Sequence, residues 1–584
     1  MLLMKNKGVY LKKVEIILKK TIIIGICLFV IACAVTTKYT AYIHKDVTQA
    51  GDTESKSATT ARPVPDSADF GAYLAALQAR ENKDIDKASY YYGKALQGDP
   101  DNEKLQSEAY LVSAFAGDMD QFMQTAQALK DQKGLYAPIA ILALHMKTGN
   151  YDEVLAQTKD ADANDMSGLM YPLARAWAYV GLKQYDKAID ALAPIKKDKD
   201  LRPLYLYNEA LISAVAGDLS RADAAFVKLS DMEVPTMTSL LAIRKFYLKQ
   251  NRWNAQNPLF EKYYQTVREN PSLMEVLIGR ADEFDVQTPS QGLAESFYIV
   301  STVAGKQSKA PETSLLFNAL ALYLNPDASI YKIWGAEQFE SIEYYAQANR
   351  LYASVKNTSD IIRFKMALNN MLLNNDKEAE ALLLKIYAHQ PNDRLLLGVL
   401  GDLYRDQMRL DESVSFYTKA IRLQRAANDK TALGKTLFSR AGVYDAMGWQ
   451  EKAEADLIEA IALSGDNALM MNYLGYMWLD SDKNVPQAVD LIKKAHELAH
   501  DEPHIIDSLA WAYYKQGDYE KALEYAEQSA DLLPYSSMVQ AHLGDIYQAL
   551  GRHREAGYQY HKALELKADI TPELKARLEE KLKQ

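Results

Sequence analysis

The chain has 584 residues and a mass of 65.6 kDa, of which 48% are apolar and 25% charged. This balance is that of a folded soluble protein, and it excludes a disordered chain and a protein with many membrane spans. The formal net charge of −10 disfavours a nucleic-acid-binding protein, so none is predicted. Gly and Pro are sparse while Tyr is abundant, at 38, which indicates an all-α chain.

The N-terminus carries the pattern of a secretory signal. Six lysines and one acid in the first twenty residues precede the apolar run Ile22–Cys33, which contains both cysteines of the chain, Cys27 and Cys33. The segment Val30–Cys33 resembles the bacterial lipobox, so residues 1–32 are predicted to be a lipoprotein signal peptide and Cys33 the lipid attachment site. The alternative is an uncleaved signal-anchor helix, because the apolar stretch is long enough to reach the bottom of the spanning range.

The next segment has the composition of a flexible tether. Residues 33–69 become rich in Thr, Ser, Asp, Ala and Pro from about His44 onward and contain almost no large apolar side chain there. Residue 34 is Ala rather than Asp, which by resemblance to enterobacterial lipoproteins favours the outer membrane. The sequence therefore predicts a protein anchored in the bacterial cell envelope, with its body facing the periplasm.

The rest of the chain is one repeat with a period near 34 residues. A small residue follows each turn of the type Gly517–Asp518–Tyr519, and a second small residue stands twelve positions before many of them. Small residues that face one another let two antiparallel helices pack closely. The resulting ladder of positions, most of which hold small residues, is Ala88, Phe122, Val154, Ala188, Ala222, Gln256, Ser314, Ala348, Ala379, Ser413, Ala453, Ala488, Ala522 and Ala556.

This ladder resembles the tetratricopeptide repeat (TPR). The resemblance implies an α-solenoid, a right-handed superhelix of about 13–14 antiparallel helix pairs. The predicted domains are an N-terminal array at 70–255, a degenerate repeat that could act as a hinge at 256–313, a C-terminal array at 314–570 and a capping helix at 571–584. Extra residues between Ser413 and Ala453 predict longer helices there.

One motif suggests an enzyme. His496-Glu497-Leu498-Ala499-His500 matches H-E-x-x-H, which can place two imidazoles on one helix face for zinc. In the repeat frame, however, these residues close a second helix, and His500 stands where the repeat usually has proline. No phosphate-binding loop or nucleophile elbow is present. The sequence therefore predicts a protein that is not an enzyme and has no cofactor or metal, with a zinc metalloprotease as a disfavoured alternative.

A binding surface is the favoured function. First helices line the concave side of stacked helix pairs, and in TPR modules that groove commonly takes peptides or partner helices. Tyr and Trp supply large contact areas at a small entropic cost. Inward positions near the C-terminus are predicted to form a protein-binding groove, and they are Asn472, Tyr473, Tyr476, His504, Asp507, Trp511, Tyr514 and Lys515. The alternative is that some of these aromatic residues belong to the core between repeats.

The whole layout resembles a group of long proteobacterial TPR lipoproteins. The similarity covers the signal, the tether and the repeats, and it is closest in the blocks Asn472–Tyr476 and Ile505–Tyr514. Some members of this group act as adaptors of carboxyl-terminal-processing proteases, which the resemblance implies as a function here. A scaffold in the export of envelope polymers such as exopolysaccharide is the alternative.

Overall fold

The protein is all-α throughout the part of the chain that the structure describes. A computed structural model describes residues 70–131, 136–159, 166–232, 237–254, 285–306, 311–567 and 570–583. These ranges contain 29 helices and no strand, arranged as the TPR-type solenoid that the ladder predicted. In the same ranges no helix combines the length and the apolar character needed to cross a bilayer. The predicted signal peptide, Cys33 and the tether lie outside them.

The chain divides into two compact units between Leu382 and Leu383. The described helices of the N-terminal unit are α1 Phe70–Glu81, α2 Ile85–Gly98, α3 Glu103–Ala116, α4 Met119–Ala128, α5 Ala137–Thr148, α6 Tyr151–Gln157, α7 Met166–Gly181, α8 Tyr185–Ala191, α9 Ala193–Lys197, α10 Arg202–Ala216, α11 Leu219–Ser230, α12 Met237–Lys249, α13 Pro289–Lys306, α14 Pro311–Leu324, α15 Ser329–Ser341, α16 Tyr345–Ala353 and α17 Asp360–Leu372. Helix α18, Asp376–His389, runs across the boundary.

The helices of the C-terminal unit follow in regular pairs. They are α19 Arg394–Asp406, α20 Leu410–Ala426, α21 Lys430–Ala446, α22 Gln450–Ser464, α23 Ala468–Asp480, α24 Val485–Leu498, α25 Pro503–Gln516, α26 Tyr519–Leu532, α27 Ser537–Ala549, α28 His553–Glu565 and α29 Pro572–Lys581. Helices α20 and α21 have 17 residues each, which confirms the longer helices expected between Ser413 and Ala453.

Close packing of the two helices in each pair explains the ladder. Every ladder residue that the structure describes is fully buried, and so are the alanines that stand twelve positions earlier. Where glycine replaces that alanine there is no room for a side chain, since a Cβ on Gly544 would lie 2.4 Å from the ring of Tyr560. The small residues are therefore required by the approach of the two backbones.

The turn between paired helices is also encoded locally. Gly517 ends α25 with φ = 80°, a left-handed conformation that glycine adopts without steric cost. Asp518 then caps α26 by accepting a hydrogen bond from the backbone N–H of Lys521. At the end of the chain, Thr571 caps α29 in the same way, and Pro572 occupies the first helical position.

A helical hairpin, α13–α14, fills the face of the N-terminal unit that first helices line. Helix α13 packs against α5, α7 and α10, and α14 packs against α3 and α5. Within the segment 256–313, predicted to be a degenerate repeat and possible hinge, residues 289–306 form a helix buried among earlier repeats. Residues 255–284 lie outside the described part of the chain. Moreover, residues 314–382 belong to the N-terminal unit rather than to the C-terminal array.

The first two repeats of the N-terminal unit also contact helices near that unit's end. The rings of Phe115 and Phe339 meet edge to face, with centroids 6.4 Å apart. Lys83 Nζ lies 2.6 Å from Glu343 Oε2, and a second ion pair joins Asp86 to Arg350. The unit thus closes on itself around its hairpin. In the C-terminal unit, by contrast, each helix pair packs mainly on its neighbours.

Candidate protein-binding surface

First helices of consecutive repeats form the candidate surface of the C-terminal unit. Helices α23, α25 and α27 contact one another in that order, and the face they line together is called the C-terminal groove below. The predicted residues from Asn472 to Tyr476 lie on α23, and those from His504 to Lys515 lie on α25. The structure therefore shows where each predicted residue stands, while their role in binding stays a prediction.

An aromatic stack stands at the centre of the C-terminal groove. The indole of Trp511 lies parallel to the ring of Tyr514, with centroids 4.6 Å apart, and to the imidazole of His542, 4.3 Å away. Trp511 is only 7% exposed, whereas Tyr514 is half-buried. Tyr514 is therefore the member of this stack that offers the larger area to a partner, and Trp511 supports it from beneath.

A buried acid lies one helical turn before Trp511. Asp507 Oδ2 is 3.0 Å from His542 Nδ1, which fixes the imidazole against the indole. The other carboxylate oxygen, Asp507 Oδ1, is buried without a hydrogen-bond partner, and so are Trp511 Nε1 and Asn472 Oδ1. Unpaired buried polar atoms are costly, because each has lost its bonds to water. They mark this surface as one whose hydrogen bonds are incomplete.

The remaining predicted residues are divided between the groove and the neighbouring repeats. Tyr476 lies beside His542, with ring centroids 6.1 Å apart, and burial raises the pKa of its hydroxyl well above the ordinary value. Tyr473 donates a hydrogen bond of 2.7 Å to Asp445 of α21, so its hydroxyl is already engaged. Lys515 Nζ pairs with Asp482 at 2.6 Å and lies 5.6 Å from the Trp511 ring. His504 is half-buried at the start of α25.

His542 is the residue of this surface that the sequence prediction missed. Among the scattered histidines of the chain it had no motif to mark it. Its position in the repeat was the available signal, because it stands on a first helix, two residues before the small residue Gly544. That position meets the first helix of the preceding repeat, as its contacts with Asp507 and Trp511 show.

The H-E-x-x-H residues do not share one helical face. Helix α24 ends at Leu498, so His500 lies beyond the helix and its Nε2 is 3.1 Å from the Asp501 carboxylate. His496 stands edge-on to the ring of Tyr525, and burial, followed by the charge of His500, lowers its pKa. Among the described residues, no group of three His, Cys, Asp or Glu side chains could hold a metal ion. The geometry that the zinc motif requires is absent here.

The corresponding face of the N-terminal unit is already occupied. Tyr207 on α10 donates a hydrogen bond of 2.9 Å to Glu295 on α13, and Tyr331 on α15 donates to the other oxygen of the same carboxylate. Trp177 on α7 donates to Asn208 at 3.0 Å, and it lies beneath Gly292 of α13. Tyr207, Tyr331, Glu295 and Trp177 are all buried. The polar groups of this face are satisfied in part by the chain's own hairpin.

Comparison with known proteins supports the repeat assignment. Tetratricopeptide-repeat models match residues 396–426, 505–536 and 539–570, all in the C-terminal unit. The chain is 37% identical over 109 residues to TPR repeat-containing protein PA4667 of Pseudomonas aeruginosa. That match covers 19% of this chain, and it spans only 18% of the length of the relative.

Solved structures of similar helical architecture align with low scores. A chain of the APC/C hetero-tetramer Cut9–Hcn1 aligns with 76% of this chain and 96% of its own, at 16% identity and a TM-score of 0.32. A tetratricopeptide repeat protein from Parabacteroides merdae aligns with 38% of this chain and 85% of its own, at 18% identity and a TM-score of 0.33. YrrB, a TPR protein with an unusual peptide-binding site, aligns with 34% of this chain and 97% of its own, at 16% identity and a TM-score of 0.27.

Proposed function

We propose that the chain is a non-enzymatic scaffold that binds a protein partner through its C-terminal groove. The observation that carries this proposal is the contrast between the two faces lined by first helices. The N-terminal face is filled by the chain's own hairpin, whereas the C-terminal groove presents an aromatic stack in which the ring of Tyr514 is only half-buried. Aromatic residues are enriched at surfaces that bind protein.

The proposal extends to the place where the scaffold works. A lipid on Cys33, or an uncleaved anchor, would hold the repeats at the bacterial envelope, and residues 33–69 would let them reach partners in the periplasm. This part is supported by the basic and apolar segments of the N-terminus and by the lipobox resemblance. The outer membrane is the favoured site because residue 34 is Ala.

The narrowest form of the proposal is an adaptor that delivers substrates to an envelope protease. It is supported by the resemblance of the layout to long TPR lipoproteins, some of which act as protease adaptors. A scaffold is compatible with this task because two proteins held on one array react at a raised effective concentration. The chemistry would then belong to the partner, in keeping with a non-enzymatic repeat array.

A crosslinked pull-down from native membranes tests the proposal. The tagged chain is compared with Cys33→Ala, which removes the lipid site, and with Tyr514→Ala, which alters the groove. Tyr558→Ala is the matched control, because Tyr558 is 67% exposed on the second helix α28. The adaptor is supported if an envelope protease is recovered with its substrates and if Tyr514→Ala, but not Tyr558→Ala, reduces that recovery. Recovery of a polymer-export complex contradicts it, and recovery of no specific protein contradicts the scaffold.

Trp511→Ala separates a binding role from a structural one. If the indole is an anchor for the partner, its removal weakens binding by about 2 kcal/mol or more. Because Trp511 is nearly buried, the same variant also lowers the melting temperature of the C-terminal unit. Binding is therefore measured well below that temperature. A loss of stability with unchanged affinity would assign Trp511 to the core alone.

A further inference from the structure

Two tryptophans occupy the same position in two different repeats. Trp177 follows the small residue Ala176 of α7, and Trp511 follows the small residue Ala510 of α25. Each tryptophan contacts one residue of the next first helix, two positions before the small residue of that helix. This residue is Asn208 for Trp177 and His542 for Trp511. The two tryptophans therefore occupy equivalent repeat positions on the faces that first helices line in the two units.

In the N-terminal unit, an α-helix, α13, packs against the tryptophan of this position with a glycine. A Cβ at Gly292 of α13 would lie 2.2 Å from the Trp177 indole, so only glycine allows the helix to come this close. One turn further along α13, Glu295 accepts the hydrogen bond of Tyr207, and Ser296 Oγ lies 3.5 Å from Asn208 Oδ1. Helix α13 therefore covers this face with a small residue and, one turn later, with polar residues that pair with the polar groups of the face.

At the equivalent position of the C-terminal groove a tryptophan is also present, but polar atoms around it have no hydrogen-bond partner. Trp177 Nε1 donates to Asn208, whereas Trp511 Nε1 has no partner, because the ring of His542 lies flat against the indole. Asp507 Oδ1 and Asn472 Oδ1 are also unpaired, although Asp507 is only 7% exposed. The ring of Tyr514, rather than another helix, covers the indole here.

We infer that the partner of the C-terminal groove is an α-helix, not an extended peptide, and that it docks with a small residue against the Trp511–Tyr514 stack. This inference rests on the proposed function, and it names the kind of segment that the groove takes. One turn from its small residue, the partner helix carries Asn or Gln. A side-chain amide both donates to the Asp507 carboxylate and accepts from the Trp511 N–H, so it satisfies both groups.

Selection from two peptide libraries tests the inference on the full chain. One library displays randomised positions on the surface of a rigid α-helical scaffold, and the other displays unstructured peptides of equal diversity. The expected binders come from the helical library, carry Gly, Ala or Ser at one position and Asn or Gln one turn away, and lose at least tenfold in affinity with Tyr514→Ala. The binders are also tested against Trp511→Phe and Asp507→Asn, which keep most of the packing and alter the hydrogen bonds.

The outcomes separate this inference from the proposed function. Binders from the unstructured library that depend on Tyr514 or Trp511 would overturn the helical partner and leave the groove as a binding surface. If helical binders keep their affinity with Tyr514→Ala, Trp511→Phe and Asp507→Asn, the helix does not bind at the Trp511–Tyr514 stack, and the inference is overturned. No binder from either library would count against both. Trp177→Phe is the matched control, because its indole is covered by α13 and its change leaves the affinity of the selected helices unchanged.

Discussion

Tyr207 and Glu295 stand 88 residues apart in the chain, and the hydroxyl of the first donates a 2.9 Å hydrogen bond to the carboxylate of the second. This bond joins α10 to the hairpin that fills the N-terminal unit. Tyr331 donates to the other carboxylate oxygen, so one buried acid connects three helices. Burial raises the pKa of Glu295 from its ordinary 4.5 to about 7, and hydrogen bonds from Tyr331, Tyr207 and Thr238 oppose that rise.

The raised pKa of Glu295 predicts that the N-terminal unit loses stability as the pH rises. Between pH 4.5 and about 7 the folded chain holds this proton more tightly than the unfolded chain. The resulting stabilisation is complete below pH 4.5, amounts to about 3 kcal/mol and is lost as the pH passes about 7. Thermal unfolding at pH 5, 6, 7 and 8 measures it.

Glu295→Gln removes this titration and keeps a hydrogen-bond acceptor. The difference in unfolding free energy between wild type and Glu295→Gln is therefore expected to change with pH. The exposed Glu312 of α14 provides the control, because Glu312→Gln removes a carboxylate from the same hairpin without touching the buried contact. Parallel pH profiles for wild type and Glu295→Gln would mean that Glu295 is ionised throughout.

Gly292→Ala is expected to destabilise the N-terminal unit by about 1–3 kcal/mol. Its Cβ would lie 2.2 Å from the Trp177 indole, so α13 must move away from α7. Gly557→Ala is the control, because a Cβ at this glycine of α28 meets no atom within 4 Å, and alanine favours a helix by up to about 1 kcal/mol. Denaturant unfolding compares the two. An unchanged midpoint for Gly292→Ala would show that α13 does not rest on Trp177.

Ala522→Leu is expected to destabilise the C-terminal unit by about 1–3 kcal/mol. Ala522 is fully buried where α26 crosses α25, and the added carbons have no space there. Ala549→Leu places the same side chain at an exposed position near the end of α27 and is expected to change stability by less than about 0.5 kcal/mol. Equal melting curves for both variants would show that the ladder does not mark the helix crossings.

The ion pair between Lys83 and Glu343 is expected to contribute about 0.5 kcal/mol to closing the N-terminal unit, since both side chains are about 40% exposed. Glu343→Lys and Lys83→Glu each remove the pair, and the double exchange restores it. A double-mutant cycle by denaturant unfolding at low salt gives the coupling, which 1 M salt should abolish. Simple additivity at low salt would show that the two charges do not interact.

The helix pairs could be predicted because their cause is local and repeated. Ala88, Ala188 and Ala522 stand at the same spacing from their turns, and a buried small residue at each of these positions lets the two backbones of its helix pair approach. The hairpin could not be predicted in this way, because what packs on a groove depends on residues far along the chain. A local signal for its start was nevertheless present. Gln291 Oε1 accepts from the N–H groups of Gln287 and Thr288, and such a cap precedes a helix.

The candidate site was predictable by position but not by exposure. The repeat frame placed Asp507, Trp511 and Tyr514 on one first helix, and the structure brings them together. The repeat frame did not show that Trp511 would be nearly buried. The indole is covered by His542 of the next repeat and by the ring of Tyr514 that stacks on it. Neighbouring repeats therefore decide whether an inward aromatic residue is reached by solvent.

The contacts that close the N-terminal unit also affect how readily that unit can fold. Lys83 and Glu343 are 260 residues apart, so the first repeats are completed only when helices from far along the chain reach them. Loop closure over such a span is slow, and the apolar faces of α3, α5 and α7 stay uncovered in the meantime. The later repeats need only the preceding pair. The N-terminal unit is therefore expected to keep apolar surface exposed for longer during folding than the C-terminal unit does.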